Sequence, residues 1–236
     1  MLERLKKFVI RDSLNKSDFK KVIYSRDIKK NLRQFKIIFS LEISNFIDSI
    51  FNAYKSWKII DKKCKGDKQK SYVAGYLLNA INNLVVSLNF LILGHLDASG
   101  NLFRQFMESS AMSILLSSQE LNYFEMLMEH IEKKTKFEFH RSLDFVSDNI
   151  GKLKIDRNAW NKFKKIRNFY HSYSHASLLS VAGRFNFDVK DTVYIGGNYD
   201  PAKVEIYRKE IQLRISAADS LKNIIEGITA KASIFV

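Results

Sequence analysis

Residues 32 to 57 read Leu32-Arg-Gln-Phe35-Lys-Ile-Ile-Phe39-Ser-Leu-Glu-Ile43-Ser-Asn-Phe46-Ile-Asp-Ser-Ile50-Phe-Asn-Ala-Tyr54-Lys-Ser-Trp57. Leu32, Phe35, Phe39, Ile43, Phe46, Ile50, Tyr54 and Trp57 follow one another at steps of three or four, which predicts one buried stripe on a helix over about residues 26 to 60. The chain holds one Pro in 236 residues, so little interrupts such helices. At the far end Asp200 is placed to cap a helix and Pro201 suits its first position. Val204, Tyr207, Ile211, Ile215, Ala218, Leu221, Ile225 and Ile228 then form a second long stripe.

Between these two, Lys70 to Leu93 is apolar nearly all round, which predicts a central helix. A partner helix is expected from Ser99 to Leu116, with Gly94 and Asp97 as stop and cap signals. Residues 119 to 149 are expected to be helical with a split near Thr135 and an end at Gly151, and Asp156 to cap a helix running from Arg157 to about Ser174. Phe185, Phe187 and Val189 alternate with polar residues, and Thr192 to Tyr199 reads as a returning strand. The expected fold is mainly α: a basic extension over 1–25, then a single-domain helical bundle over 26–236 with a small β-hairpin at about 184–199, before the C-terminal helix.

An apolar share of 46% with 27% charged residues excludes collagen, low-complexity disorder and a disulfide scaffold. Cys64 is the sole cysteine, so one chain forms no disulfide and no cysteine-based zinc site, which suits a reducing, cytoplasmic setting. The basic opening lacks the apolar core of a signal peptide. The run from Leu84 to Leu96 falls short of the roughly twenty residues needed to cross a bilayer, so no transmembrane segment is expected.

The formal charge is +14, and it is segregated. Residues 1–37 carry twelve cations against four anions, residues 55–70 seven against two, and residues 151–170 seven against one, while residues 71–150 are acidic. A surface joining the basic stretches would attract RNA or another polyanion, with Lys62, Lys63, Lys65, Lys162, Lys164 and Lys165 as candidate contacts; a solvated lysine-rich surface explains the same composition.

The most distinctive stretch is Arg167-Asn-Phe-Tyr-His171-Ser-Tyr-Ser-His175. At 100° per residue Arg167, His171 and His175 advance by 40° per step, so they project from one narrow helix face with Lys164 and Asn168 beside them. Trp160, Phe163, Ile166, Tyr170 and Tyr173 are expected on a separate, core-facing side. An imidazole can move a proton near neutrality and a guanidinium can stabilise charge on a phosphate, so such a set can cut RNA without a metal. Packing explains it too, as a hydrogen-bonded helix end. Arg104 and Glu108 are spaced for an intrahelical pair, either a structural bridge or a site organiser. A His-x-x-x-His pair without an adjacent Glu or third ligand points to no metal site, and no cofactor motif occurs.

An Arg-Asn pair followed by His late in a helical bundle resembles the HEPN superfamily, whose Arg-x(4 to 6)-His motif forms a metal-independent ribonuclease site, usually across a homodimer. Here three residues separate Arg167 from His171, and seven separate it from His175. The segments Arg104-Gln-Phe-Met-Glu108, Tyr173-Ser-His175-Ala-Ser177 and Gly-Gly-Asn-Tyr at 196–199 are also similar to uncharacterised bacterial helical proteins with Arg-x-x-x-Glu and Tyr-Ser-x-His signatures. The resemblance singles out Arg104, Glu108 and His175. That family carries no established activity; the HEPN resemblance implies a ribonuclease, suited to phage defence or a toxin, a homodimer, and an antitoxin or defence partner. The catalytic set would be Arg167, His171 and His175, supported by Arg104, Glu108, Asn168 and Tyr173. A non-catalytic helical interaction or nucleic-acid-binding protein and a nucleotide or phosphate sensor are the competing expectations.

Overall fold

In the computed structural model the stripe at 32–57 is buried as two helices rather than one. The structure describes residues 17, 20, 28–171, 181, 184, 185, 187, 194–231, 234 and 235. The expected extension over 1–25 therefore falls almost wholly outside the described residues, as do Tyr173 and His175. Helix α1 spans Ile28–Ile38 and α2 spans Ser40–Lys62, joined at Phe39, whose φ of −120° and ψ of 25° leave the helical region. The hydrogen-bond ladder survives the bend, with Phe39 N donating to Phe35 O at 2.8 Å and Ile43 N to Phe39 O at 2.9 Å. The bend lets both Phe35 and Phe39 sit fully buried, Phe35 against the rings of Tyr199 at 5.3 Å and Tyr207 at 4.8 Å. Tyr54, placed in the core stripe by its spacing, lies at its margin, 38% exposed and stacked on Trp57.

Helix α3 (Lys68–Ile92) begins at Asp67, whose side chain accepts from Lys70 N at 2.9 Å, and runs along α4 (Leu96–Ser117). It buries Val73, Leu77, Leu84 and Leu91 but leaves Leu78 and Val85 more than 40% exposed, so its apolar circumference is only partly covered. Among the described residues it is the one helix long and apolar enough, by length and composition, to cross a membrane. Helix α4 starts three residues before its expected position, so Asp97 lies in its first turn instead of capping it. The segment expected over 119–149 divides into α5 (Tyr123–Lys133), a 3-10 turn (Phe139–Arg141), α6 (Ser142–Asp148) and α7 (Ile150–Leu153). Gly151 sits inside α7; the end falls at Lys154, in the left-handed region with φ of 52°.

Asp156 caps α8 (Arg157–His171), its Oδ1 accepting from Ala159 N at 2.6 Å. Asp200 likewise accepts from Ala202 N at 3.0 Å ahead of Pro201, and the last helix, α9 (Val204–Lys231), packs along α2 with Tyr207, Ile211, Ala218, Leu221 and Ile225 buried. The fold is mainly α, a helical bundle. Residues 186 and 188–193 of the expected hairpin lie outside the described residues; among those described at 184–199 no strand forms, and Tyr194 N donates to Arg184 O at 2.8 Å. The described part of the returning segment, from 194 on, bonds to the helices. Asn198 N donates to Gly94 O at 3.1 Å, and the Asn31 side chain donates to both Leu93 O and Gly197 O at 3.1 Å. Gly94, at φ +87°, and Gly197 make this contact possible, because a Cβ on Gly94 would lie 2.4 Å from Asn198 N and one on Gly197 2.3 Å from Leu93 O.

A buried polar cluster ties α3, α4, α8 and α9 together. Arg214, fully buried, donates through Nη1 to Glu210 Oε2 at 2.7 Å, through Nε to Ser87 Oγ at 2.9 Å and through Nη2 to Ser99 Oγ at 2.7 Å. Tyr170 OH donates to Glu210 Oε2 at 2.6 Å, and the guanidinium lies 5.1 Å from the Phe103 ring centroid. Every charged atom named here has a partner, which is what makes a buried ion pair tolerable. At the opposite end Cys64 Sγ donates to Ile60 O at 3.1 Å, and burial, with Asp61 and Asp67 adding to it, pushes its thiol pKa up.

Candidate functional site

The candidate groups come from three elements. Helix α4 presents Arg104 and Glu108 one turn apart, α8 presents Lys164, Arg167, Asn168 and His171, and the 3-10 turn supplies His140. Aromatic packing sets α8 on α4: Phe103 meets Tyr170 at 4.7 Å and Phe106 meets Phe163 at 6.0 Å. The other side of α8 faces α6, where Trp160 Nε1 donates to Ser147 Oγ at 3.0 Å and Lys164 Nζ pairs with Asp144 at 2.8 Å. Trp160 thus reaches α6 through its indole N–H while its ring stacks on Phe163 at 5.2 Å. It is buried.

The structure brings Arg104 to His171, with Nη1 3.5 Å from Nδ1. A guanidinium has no acceptor, so as a hydrogen bond this contact requires Nδ1 to accept. Arg104 also forms an ion pair with Glu108 Oε1 at 3.6 Å, with both side chains about four-fifths buried. Arg167 donates from Nη2 to His140 O at 3.0 Å and from Nη1 to Asn168 Oδ1 at 3.2 Å. Burial raises the pKa of Glu108, and the charges of Arg104, Arg167 and His140 pull it part of the way back. Arg104 Nε, Arg167 Nε and Glu108 Oε1 are buried with no hydrogen-bond partner among the described residues. Arg104 and Arg167 thus each keep a buried Nε–H without a hydrogen-bond acceptor among the described residues, Glu108 Oε1 has the 3.6 Å ion pair with Arg104, and His171 is exposed.

His140 was not legible in the sequence. It lies between Phe139 and Arg141 in a turn with no periodicity to place it, and the resemblance named no such residue. The two lysine groups sit on different elements: Lys62, Lys63 and Lys65 at the α2 end, where Lys63 Nζ donates to Phe235 O at 3.2 Å, and Lys162, Lys164 and Lys165 on α8. Lys164 is occupied by Asp144, while Lys162 and Lys165 are exposed. Asn198, from the Gly-Gly-Asn-Tyr segment, lies apart from the Arg104 cluster, beside a small cavity of about 80 Å³ with His95, Asp97, Arg184 and Lys203. Among the described residues no group of three metal-ligating side chains converges. Comparison with protein families, with characterised proteins and with solved structures finds no match to this chain.

Proposed function

We propose that the protein binds RNA and cleaves it at the Arg104, Glu108, Arg167 and His171 cluster, in the cytoplasm, by a reaction in which no metal takes part. The observation that supports this reading above the others is the 3.5 Å approach of Arg104 to His171 from two separate helices. The chemistry is transesterification: the ribose 2′-oxygen forms a bond to the adjacent phosphorus, the bond to the 5′-oxygen breaks, and a 2′,3′-cyclic phosphate is left. One proton leaves the 2′-hydroxyl and one reaches the departing 5′-oxygen; His171 exchanges protons with the reacting groups, and Arg104 and Arg167 offset the charge gathering on the phosphate. Lys162 and Lys165 extend the positive surface along α8. A homodimer and a defence or toxin role accompany this reading through the HEPN resemblance.

A non-catalytic reading, in which the same groups grip a phosphate and release it unchanged, is favoured by the two unpartnered Nε atoms, which need no proton transfer to hold an oxyanion. Labelled RNA incubated with the protein, with and without EDTA, separates the two. Cleavage that survives EDTA and falls about 10² to 10⁴-fold in His171→Ala supports the transesterification reading. Retention of intact RNA that weakens steeply with salt identifies the binder, and failure to retain RNA at low salt removes both.

A further inference from the structure

At the N-terminal end of α8, two turns from Arg167, lies a cavity of about 440 Å³ between α4, α8 and α9. Its volume falls in the range of roughly 300 to 1,000 Å³ usual for small-molecule sites. The floor is apolar and aromatic: Trp160 and Phe163 stack at 5.2 Å and 26°, with Ile114, Ile224 and Ile228 beside them. Ser118, Ser220 and Asn223 bring hydroxyl and amide groups to the wall, and Lys152 and Lys154 stand at the mouth. Two acids share the lining, Glu120 and Asp156, the latter with Oδ1 turned to Ala159 N as the cap of α8; the lysines are the cations available to a ligand.

Gly227 adds a second observation. It lies within α9, where glycine is a poor helix former, and a Cβ there would meet nothing within 4 Å. No neighbour demands glycine at this position, and what the missing side chain does is keep the cavity wide.

We propose that this cavity binds a nucleotide, with the base against Trp160 and Phe163, its edge on the hydroxyl and amide wall, and its phosphate on Lys152 and Lys154. The flat apolar floor suits a ring, the polar wall suits a heterocycle over a hydrocarbon, and the lysines suit an anion. The ligand is either a free mononucleotide or one nucleotide of a bound strand, and the site stands independently of any cleavage at His171.

The test is calorimetric titration of the full chain with AMP, UMP, adenosine, inorganic phosphate and a deoxyribonucleotide hexamer. AMP or UMP is expected to bind more tightly than adenosine or phosphate, and the hexamer to compete with it: a tighter hexamer identifies a strand site, and a weaker one a free nucleotide. Gly227→Leu fills the cavity while improving the helix, so its melting temperature is expected to match or exceed that of the unaltered chain and its affinity for AMP to fall by about tenfold or more. The double change Lys152→Glu, Lys154→Asn, on exposed positions, is expected to weaken AMP about tenfold and leave adenosine unchanged. No heat with any nucleotide, or unaltered AMP affinity in either variant, overturns the proposal.

Discussion

Replacing Arg214 by Met tests whether the bundle is built around its buried ion pair. The substitution keeps a long apolar side chain over Phe103 but removes four hydrogen bonds, two to Glu210 and one each to Ser87 and Ser99. The serines retain their bonds to each other's carbonyls at 2.7 and 2.8 Å, so most of the cost falls on the Glu210 carboxylate, left buried with the Tyr170 hydroxyl as its remaining named donor. Breaking a buried pair from one side costs about 3–5 kcal/mol. At roughly 2–4 °C per kcal/mol for a chain of this size, the midpoint should fall by about 10 °C. Urea unfolding followed by circular dichroism measures it. The diagnostic comparison is the triple change Tyr170→Phe, Glu210→Leu, Arg214→Met, which removes every charge of the cluster and should return to within about 2 kcal/mol of the original, because desolvation no longer has to be offset. A single variant costing less than about 1 kcal/mol, or a triple variant no more stable than the single, would show that the pair is not the keystone described.

Gly94→Ala and Gly197→Ala should each destabilise the protein by about 1–3 kcal/mol, because the new methyl meets backbone atoms that cannot swing away, whereas Gly75→Ala, facing open space, should be neutral or stabilising; thermal melts rank the three. Glu108→Gln should gain stability over the unaltered chain as pH rises above the ordinary glutamate range: the folded carboxyl holds its proton more tightly than the unfolded one, so its contribution is lost on ionisation, and Gln has none to lose. Parallel melts at pH 4 and pH 7 giving the same difference would refute that sign. Asp200→Ala removes the cap acceptor and leaves the buried Lys203 ammonium, 3.8 Å away, without its nearest carboxylate, so a loss of about 3 kcal/mol is expected in denaturant titration.

The long stripes and the caps at Asp156 and Asp200 were readable because burial and backbone capping act over a few residues of one chain segment. What escaped notice depends on contacts distant in sequence. The bend at Phe39 accompanies the seating of Phe35 against Tyr199 and Tyr207, and the Trp160 indole finds its acceptor on α6. Arg104 and His171 were each legible, but the resemblance joined Arg104 to His175; 67 residues separate Arg104 from His171, and the packing of α8 on α4 brings them to 3.5 Å. Neither His140 nor the Arg214 cluster carries a local signal: a histidine in a turn and an arginine in an amphipathic helix look like surface residues until neighbours close over them.

Cys64 gives the molecule a chemical clock. It is the chain's only sulfhydryl, half-buried at the corner where α2 passes into α3, with Ile60 O and Lys70 O as acceptors beside it and its pKa raised by desolvation. A thiol-directed reagent meets it as a nucleophile chiefly when that corner loosens, so the rate of alkylation times the local breathing of two helices while the rest of the bundle stays intact.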